Sequence, residues 1–154
     1  MKTLSRVRAG VIALDRNDKP VMLIQVKGRP EENAYDRPQL VTDLQETDIR
    51  FSYAMLATLK DTRIFKWDGS TLSEVLHLPT ADVLTPYDPE FRNKRIYGDH
   101  LTVLIEGWLR DIAFHWSSNT PPFFEALERI GLGKRLEGGM TEDTRSSDDY
   151  DPLH

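Results

Sequence analysis

The sequence predicts an α/β (α+β) domain, a central mixed sheet of about five strands flanked by helices, two of them in the C-terminal part. Three observations predict it. Two strand-length apolar runs separated by a polar turn open the chain. A helical pattern and three more strand-length runs follow, and a strongly periodic helix with a shorter one behind it closes the patterned part. The 154 residues fit one domain, expected to cover 1–136.

The first run spans 7–14 and the second 21–26, with Arg16-Asn17-Asp18-Lys19 as the turn between them, a β-hairpin. Val21 to Ile24 is apolar without alternation, which suits a strand covered on both faces. Leu40, Val41 and Leu44 are spaced for a helix over 37–47, with Pro38 tolerated in its first turn. Runs at 51–59, 62–67 and 72–78, punctuated by Lys60-Asp61 and Asp68-Gly69-Ser70, predict an antiparallel meander. Prolines 79, 86 and 89 make 79–95 a long connection with at most a helical turn. Leu101, Leu104, Ile105, Trp108, Leu109, Ile112 and Trp116 recur at helical offsets behind Asp99, placed to cap them. Thr120-Pro121 opens a short last helix carrying Phe123, Phe124, Leu127 and Ile130, and Gly131 stops it. Beyond Leu136 no apolar spacing remains, so 137–154 is expected to be a disordered acidic tail.

A hydrophobic fraction of 39% with 29% charged residues excludes the fibrous, membrane and disordered classes. The absence of cysteine removes disulfides, thiolate catalysis and cysteine-ligated metals, leaving carboxylate or histidine sites. Residues 1–7 are polar and basic, and no apolar run nears the ~18 residues of a membrane span, so a cytoplasmic location is expected. Six acids and one base fall in 137–154; taking them from the chain's 25 acidic and 20 basic residues leaves 19 of each sign in the body. A neutral body neither requires nor forbids a polyanionic partner.

If the hairpin turn is Arg16 to Lys19, facing residues sum to 35, so Gly10 lies opposite Gln25 and Arg8 opposite Lys27. Gln25 and Lys27, two apart, share a face, with position 10 about 5 Å across. Paired positions on neighbouring strands plus a lysine form the geometry of a metal-dependent phosphodiesterase.

The segment RAGVIALDRNDKPVMLIQVKGR resembles the core motif of the restriction-endonuclease-like, or PD-(D/E)xK, superfamily, and is similar to the nuclease domains associated with type I restriction-enzyme R subunits. FSYAMLATLKDTRIFKWDG resembles the later strands and turn of the same domains, so the likeness covers roughly 6–78. It implies a restriction-endonuclease-like fold with the metal site on the hairpin. The site is degenerate. The family's aspartate falls on Gly10, its preceding proline on Ala9 and its acidic residue on Gln25; Lys27 alone matches. The family's first helix, which often adds another acid, has no counterpart before Val7. Magnesium takes hard anionic oxygen ligands, and a glycine and a glutamine supply none. Asp36, Asp43 and Glu46, on or near the helix beside the hairpin, are the acids that could migrate into the role, unless they sit on its solvated face.

Arg6, Arg8, Lys27, Arg29 and Arg37 are candidates for an anion or nucleic-acid contact at the open end of the hairpin, with Lys27 alternatively a snorkelling surface charge. Arg92, Lys94 and Arg95 form a second basic group, and the balancing acids make a solvated surface the plainer explanation of both. His77, His100 and His115 lack metal-ligand spacing, Gln39 and Gln45 lack the tyrosine that would extend the family motif, and Trp108 and Trp116 are expected as anchors on one face of the long helix.

The expected function is that of a catalytically inactive nuclease-fold protein, a binding or accessory subunit with no cofactor. One alternative is a divergent DNA nuclease using Mg²⁺ and a migrated carboxylate; another is a structural subunit of a larger assembly. The expected partner is a protein or a nucleic acid and not a membrane, and an oligomer is compatible with the sequence.

Overall fold

A computed structural model describes residues 10–144. The hairpin forms from β1 (Val11–Leu14) and β2 (Pro20–Val26), pairing Val11 with Ile24, Ile12 with Leu23 and Ala13 with Met22, the register counted from the turn. It shifts only at Leu14, which faces Pro20. Asp15 closes the turn: its Oδ1 accepts from the backbone N–H groups of Asn17 at 2.8 Å and Lys19 at 3.0 Å, while Asp18 takes a left-handed φ of 62°.

Helix α1 (Asp36–Glu46) crosses over to β3 (Tyr53–Ala57), which runs parallel to β2. Parallel neighbours need such a crossover, and it explains why β2 is apolar on both faces. β4 (Asp61–Trp67) and β5 (Leu72–Pro79) complete the expected antiparallel meander. The connection after β5 holds α2 (Thr80–Leu84) and a single 3₁₀ turn at Phe91–Asn93. α3 (Gly98–Phe114), α4 (Phe124–Arg129) and α5 (Leu132–Leu136) follow.

Among the described residues the sheet has six strands, not about five, in the order β5-β4-β3-β2-β1-β6. The added strand β6 (Met140–Asp143) lies in the stretch expected to be disordered and pairs antiparallel with β1. Thr144 fastens it: its N–H donates to the Gly10 carbonyl at 2.9 Å and its hydroxyl to the same oxygen at 2.6 Å. The remainder of the expected acidic tail, 145–154, lies outside the described residues.

Alternate strand residues feed two cores. Ile12, Leu23, Ala54, Leu56 and Phe65 pack with Leu40 and Leu44 of α1. Val11, Met22, Ile24, Met55 and Ile64 pack on the other face with Leu101, Ile105, Trp108 and Ile112 of α3. Each such fully buried aliphatic side chain contributes about 1.5–3 kcal/mol.

Three sequence expectations need correction here. Three helices rather than two occupy the C-terminal part, because Gly131 at φ 83° both ends α4 and leads into α5. Asp99 lies within the first turn of α3, and the cap position belongs to Tyr97. Trp116 is not on α3, which ends at His115 in the left-handed conformation; Trp116 folds back, donates its Nε1–H to the Gly107 carbonyl at 2.9 Å and stays 54% exposed. Trp108 is fully buried, with its Nε1–H on the Pro122 carbonyl at 2.9 Å. Among the described residues no helix is long and apolar enough to cross a membrane.

Candidate functional site

The hairpin register carries directly into the site. Gly10 precedes the Val11–Ile24 pair and is therefore next in line to Gln25, on the strand face that Ile12 and Leu23 turn toward α1. Gln25 is 2% exposed. Its Nε2 donates to Asp43 Oδ2 at 2.5 Å, and Gln39, one helical turn before Asp43, donates its own Nε2 to Oδ1 at 2.9 Å. Two amides thus converge on one carboxyl group, one on each oxygen. Gln25 Oε1, equally buried, has no hydrogen-bond partner among the described residues.

A second carboxyl group lies at the start of α1. Asp36 is 3% exposed and receives both terminal nitrogens of Arg29, Nη1 to Oδ2 at 2.7 Å and Nη2 to Oδ1 at 2.6 Å, with the Asn33 N–H adding 2.9 Å to Oδ2. The Arg29 guanidinium holds the Asp36 carboxyl below its usual range against the opposing effect of burial, helped by Asn33 and by the charge of Lys27. Asp36 in turn raises the Arg29 pKa. Lys27 is half-buried, and its backbone N–H donates to the Ala57 carbonyl at 2.8 Å.

The sequence-derived candidates separate accordingly. Gln25, next in line to Gly10, meets Asp43, and Arg29 meets Asp36, on which the charge of Lys27 also acts. Glu46 is exposed at the far end of α1. Asp36 and Asp43, for which a solvated helix face was the plain alternative, are instead buried. Arg37 leaves the expected basic cluster: it reaches across to Glu32, with Nε to Oε2 at 2.8 Å, and to Glu74 at 3.2 Å, its guanidinium 5.1 Å from the Phe65 ring centre. Arg63 joins that network through Glu32 and Glu74, so Arg37 ties α1 to β4 and β5. Arg6 and Arg8 lie outside the described residues.

His77 and His100, isolated in sequence, each gain a carboxylate in space, Asp61 at 2.6 Å and Asp88 at 2.9 Å. His115 ends α3 and its ring stacks 5.4 Å from that of Phe124. No group of three or more histidine, aspartate or glutamate side chains is placed to hold a metal ion among the described residues. Sequence reasoning missed the bridging of Gln25 and Gln39 through Asp43. The available signal was the four-residue spacing of Gln39 and Asp43, which puts both on one helix face.

No family model, curated protein or solved structure matches the chain.

Proposed function

We propose that the protein is a catalytically inactive, restriction-endonuclease-like member of the PD-(D/E)xK superfamily that serves as a binding or accessory subunit. The order of hairpin, crossover helix and parallel third strand supports the fold assignment, as does the Val11–Ile24 pairing beside Gly10 and Gln25. The observation that carries the inactive reading is the orientation of Gln25. Where the resemblance calls for an anionic metal ligand, an amide N–H turns to Asp43 and occupies a lone pair that a cation would require. Asp36 is likewise engaged, by a bidentate arginine.

What the strand end retains for an anion is the positive charge of Lys27, since Arg29 is taken up by Asp36. The test is incubation of the purified protein with single- and double-stranded DNA in Mg²⁺ or Mn²⁺ beside a Lys27→Ala control. No cleavage is expected from either protein. Cleavage that disappears in the variant would overturn the reading in favour of a divergent nuclease using the buried acids of α1.

A further inference from the structure

A groove of about 890 Å³ opens at the C-terminal ends of β2 and β3. Its apolar floor of Leu59, Phe91 and Ile96 belongs to the core on the α3 side, the sheet face opposite Gln25 and Asp43. One wall is fixed by a close backbone approach: a Cβ on Gly28 would lie 2.7 Å from the Gly98 backbone nitrogen at the start of α3. That contact seats the 91–97 segment against the strand end.

The rim carries one sign of charge. Lys60, Arg92, Lys94 and Arg95 line the groove, and none of the described residues that line it is acidic. Three of these cations have ion-pair partners outside the lining: Glu31 for Lys60, Asp82 for Arg92 and Asp88 for Lys94. The pairs of Lys60 and Arg92 are exposed on both sides, and such surface pairs yield readily to a stronger anion, whereas Lys94 meets the buried Asp88. Arg95 enters no ion pair among the described residues; its guanidinium lies 5.9 Å from the ring centre of Tyr97. Tyr97 also lines the groove, and it is 66% exposed.

An apolar floor, an exposed ring and a basic lining in which Arg95 has no ion-pair partner among the described residues recognise a flat heteroaromatic group joined to phosphates. From this juxtaposition we infer that the groove binds a nucleoside triphosphate, its base stacked on Tyr97 and its phosphates held by Arg95, Lys94 and Lys60. A nucleic-acid strand would need successive stacking platforms, and the groove offers one exposed ring; Phe91 is buried in the floor. The site uses none of Gln25, Asp43, Lys27 or Arg29, so it stands independently of the nuclease-like reading.

The test is calorimetric titration of the full chain with ATP and with GTP, beside tripolyphosphate, adenosine and a short oligothymidylate, with amide NMR locating the response. Saturable binding of the triphosphates is expected, with shifts at Gly28 and Ile96. Arg95→Gln and Tyr97→Ala should each weaken it at least about tenfold, while the distant Arg129→Gln leaves it unchanged. Tripolyphosphate should bind more weakly and ignore Tyr97→Ala. Both altered side chains are exposed, so an unshifted unfolding midpoint is expected and checks the fold. Absence of saturable triphosphate binding into the millimolar range would overturn the inference, as would binding indifferent to both variants. So would binding of the oligothymidylate without the mononucleotides.

Discussion

Gln25 Nε2 donates to Asp43 Oδ2 at 2.5 Å, joining β2 to the helix that covers it, α1. A hydrogen bond from a buried amide to a carboxylate contributes more than a neutral pair, about 1.5–3 kcal/mol. Gln25→Leu should therefore destabilise the fold by roughly that amount, even though it also removes Oε1, which has no partner among the described residues. A double-mutant cycle with Asp43→Leu, read by urea unfolding, should return a coupling of at least about 1 kcal/mol. Additive effects would show that the two side chains act separately.

The Arg29–Asp36 pair should appear in the acid limb of stability. Its pKa is lowered from the ordinary 3.8, so the Asp36 carboxylate stabilises the fold fully above that value, and the contribution is lost as pH falls through the depressed folded value. Asp36→Asn should cost about 1–3 kcal/mol at neutral pH and reduce the slope of stability against pH in the acid range. Asp88, held at about 2 by His100 and Lys94, should titrate in the same low range by carbon-detected NMR. An Asp36→Asn protein with the parent's acid slope would contradict the assignment.

The two tryptophans should behave differently. Trp108→Ala removes a fully buried ring and should cost about 3–5 kcal/mol. Trp116→Ala acts on a half-exposed ring packed 5.8 Å from Tyr87 and should cost less, about 1–2 kcal/mol. Equal losses in chemical denaturation would place both in the core, as the sequence periodicity implied.

Ending the chain after Leu136 removes β6 and bares the edge of β1. Loss of the Val11–Asp143 to Leu14–Met140 ladder and of the Gly10–Thr144 bonds should lower the unfolding midpoint and speed amide exchange through β1. Unchanged exchange at Ile12 and Ala13 would mean that β6 does not protect the edge.

Legibility in the sequence followed the origin of each constraint. Apolar patterning and turn chemistry are local, so the hairpin register, the helix after it and the meander could be read in advance, while the parallel pairing of β2 with β3 could not. β6 could not: Met140-Thr141-Glu142-Asp143 has no apolar alternation, and the strand depends on a backbone ladder and on Gly139, where any Cβ would collide with the Leu14 carbonyl. Trp116 misled because the left-handed turn at His115 interrupts a periodicity that the residue types continue. At the site, the pairing of Val11 with Ile24, next to Gly10 and Gln25, agrees with the count across the turn. The partners of Arg29 and Arg37 were not legible, because Asp36, Glu32 and Glu74 meet them only once α1 lies against the sheet.

The most direct measurement of the central claim is calorimetric titration of Mg²⁺ and Mn²⁺ into the parent protein and into Gly10→Asp with Gln25→Glu. The account expects no site-specific binding in the parent. In the double variant, two carboxylates facing each other across β1 and β2 should create a site with affinity gained at least about tenfold, lost again at low pH as they protonate. Tight binding by the parent, or no gain in a double variant that remains folded, would contradict it.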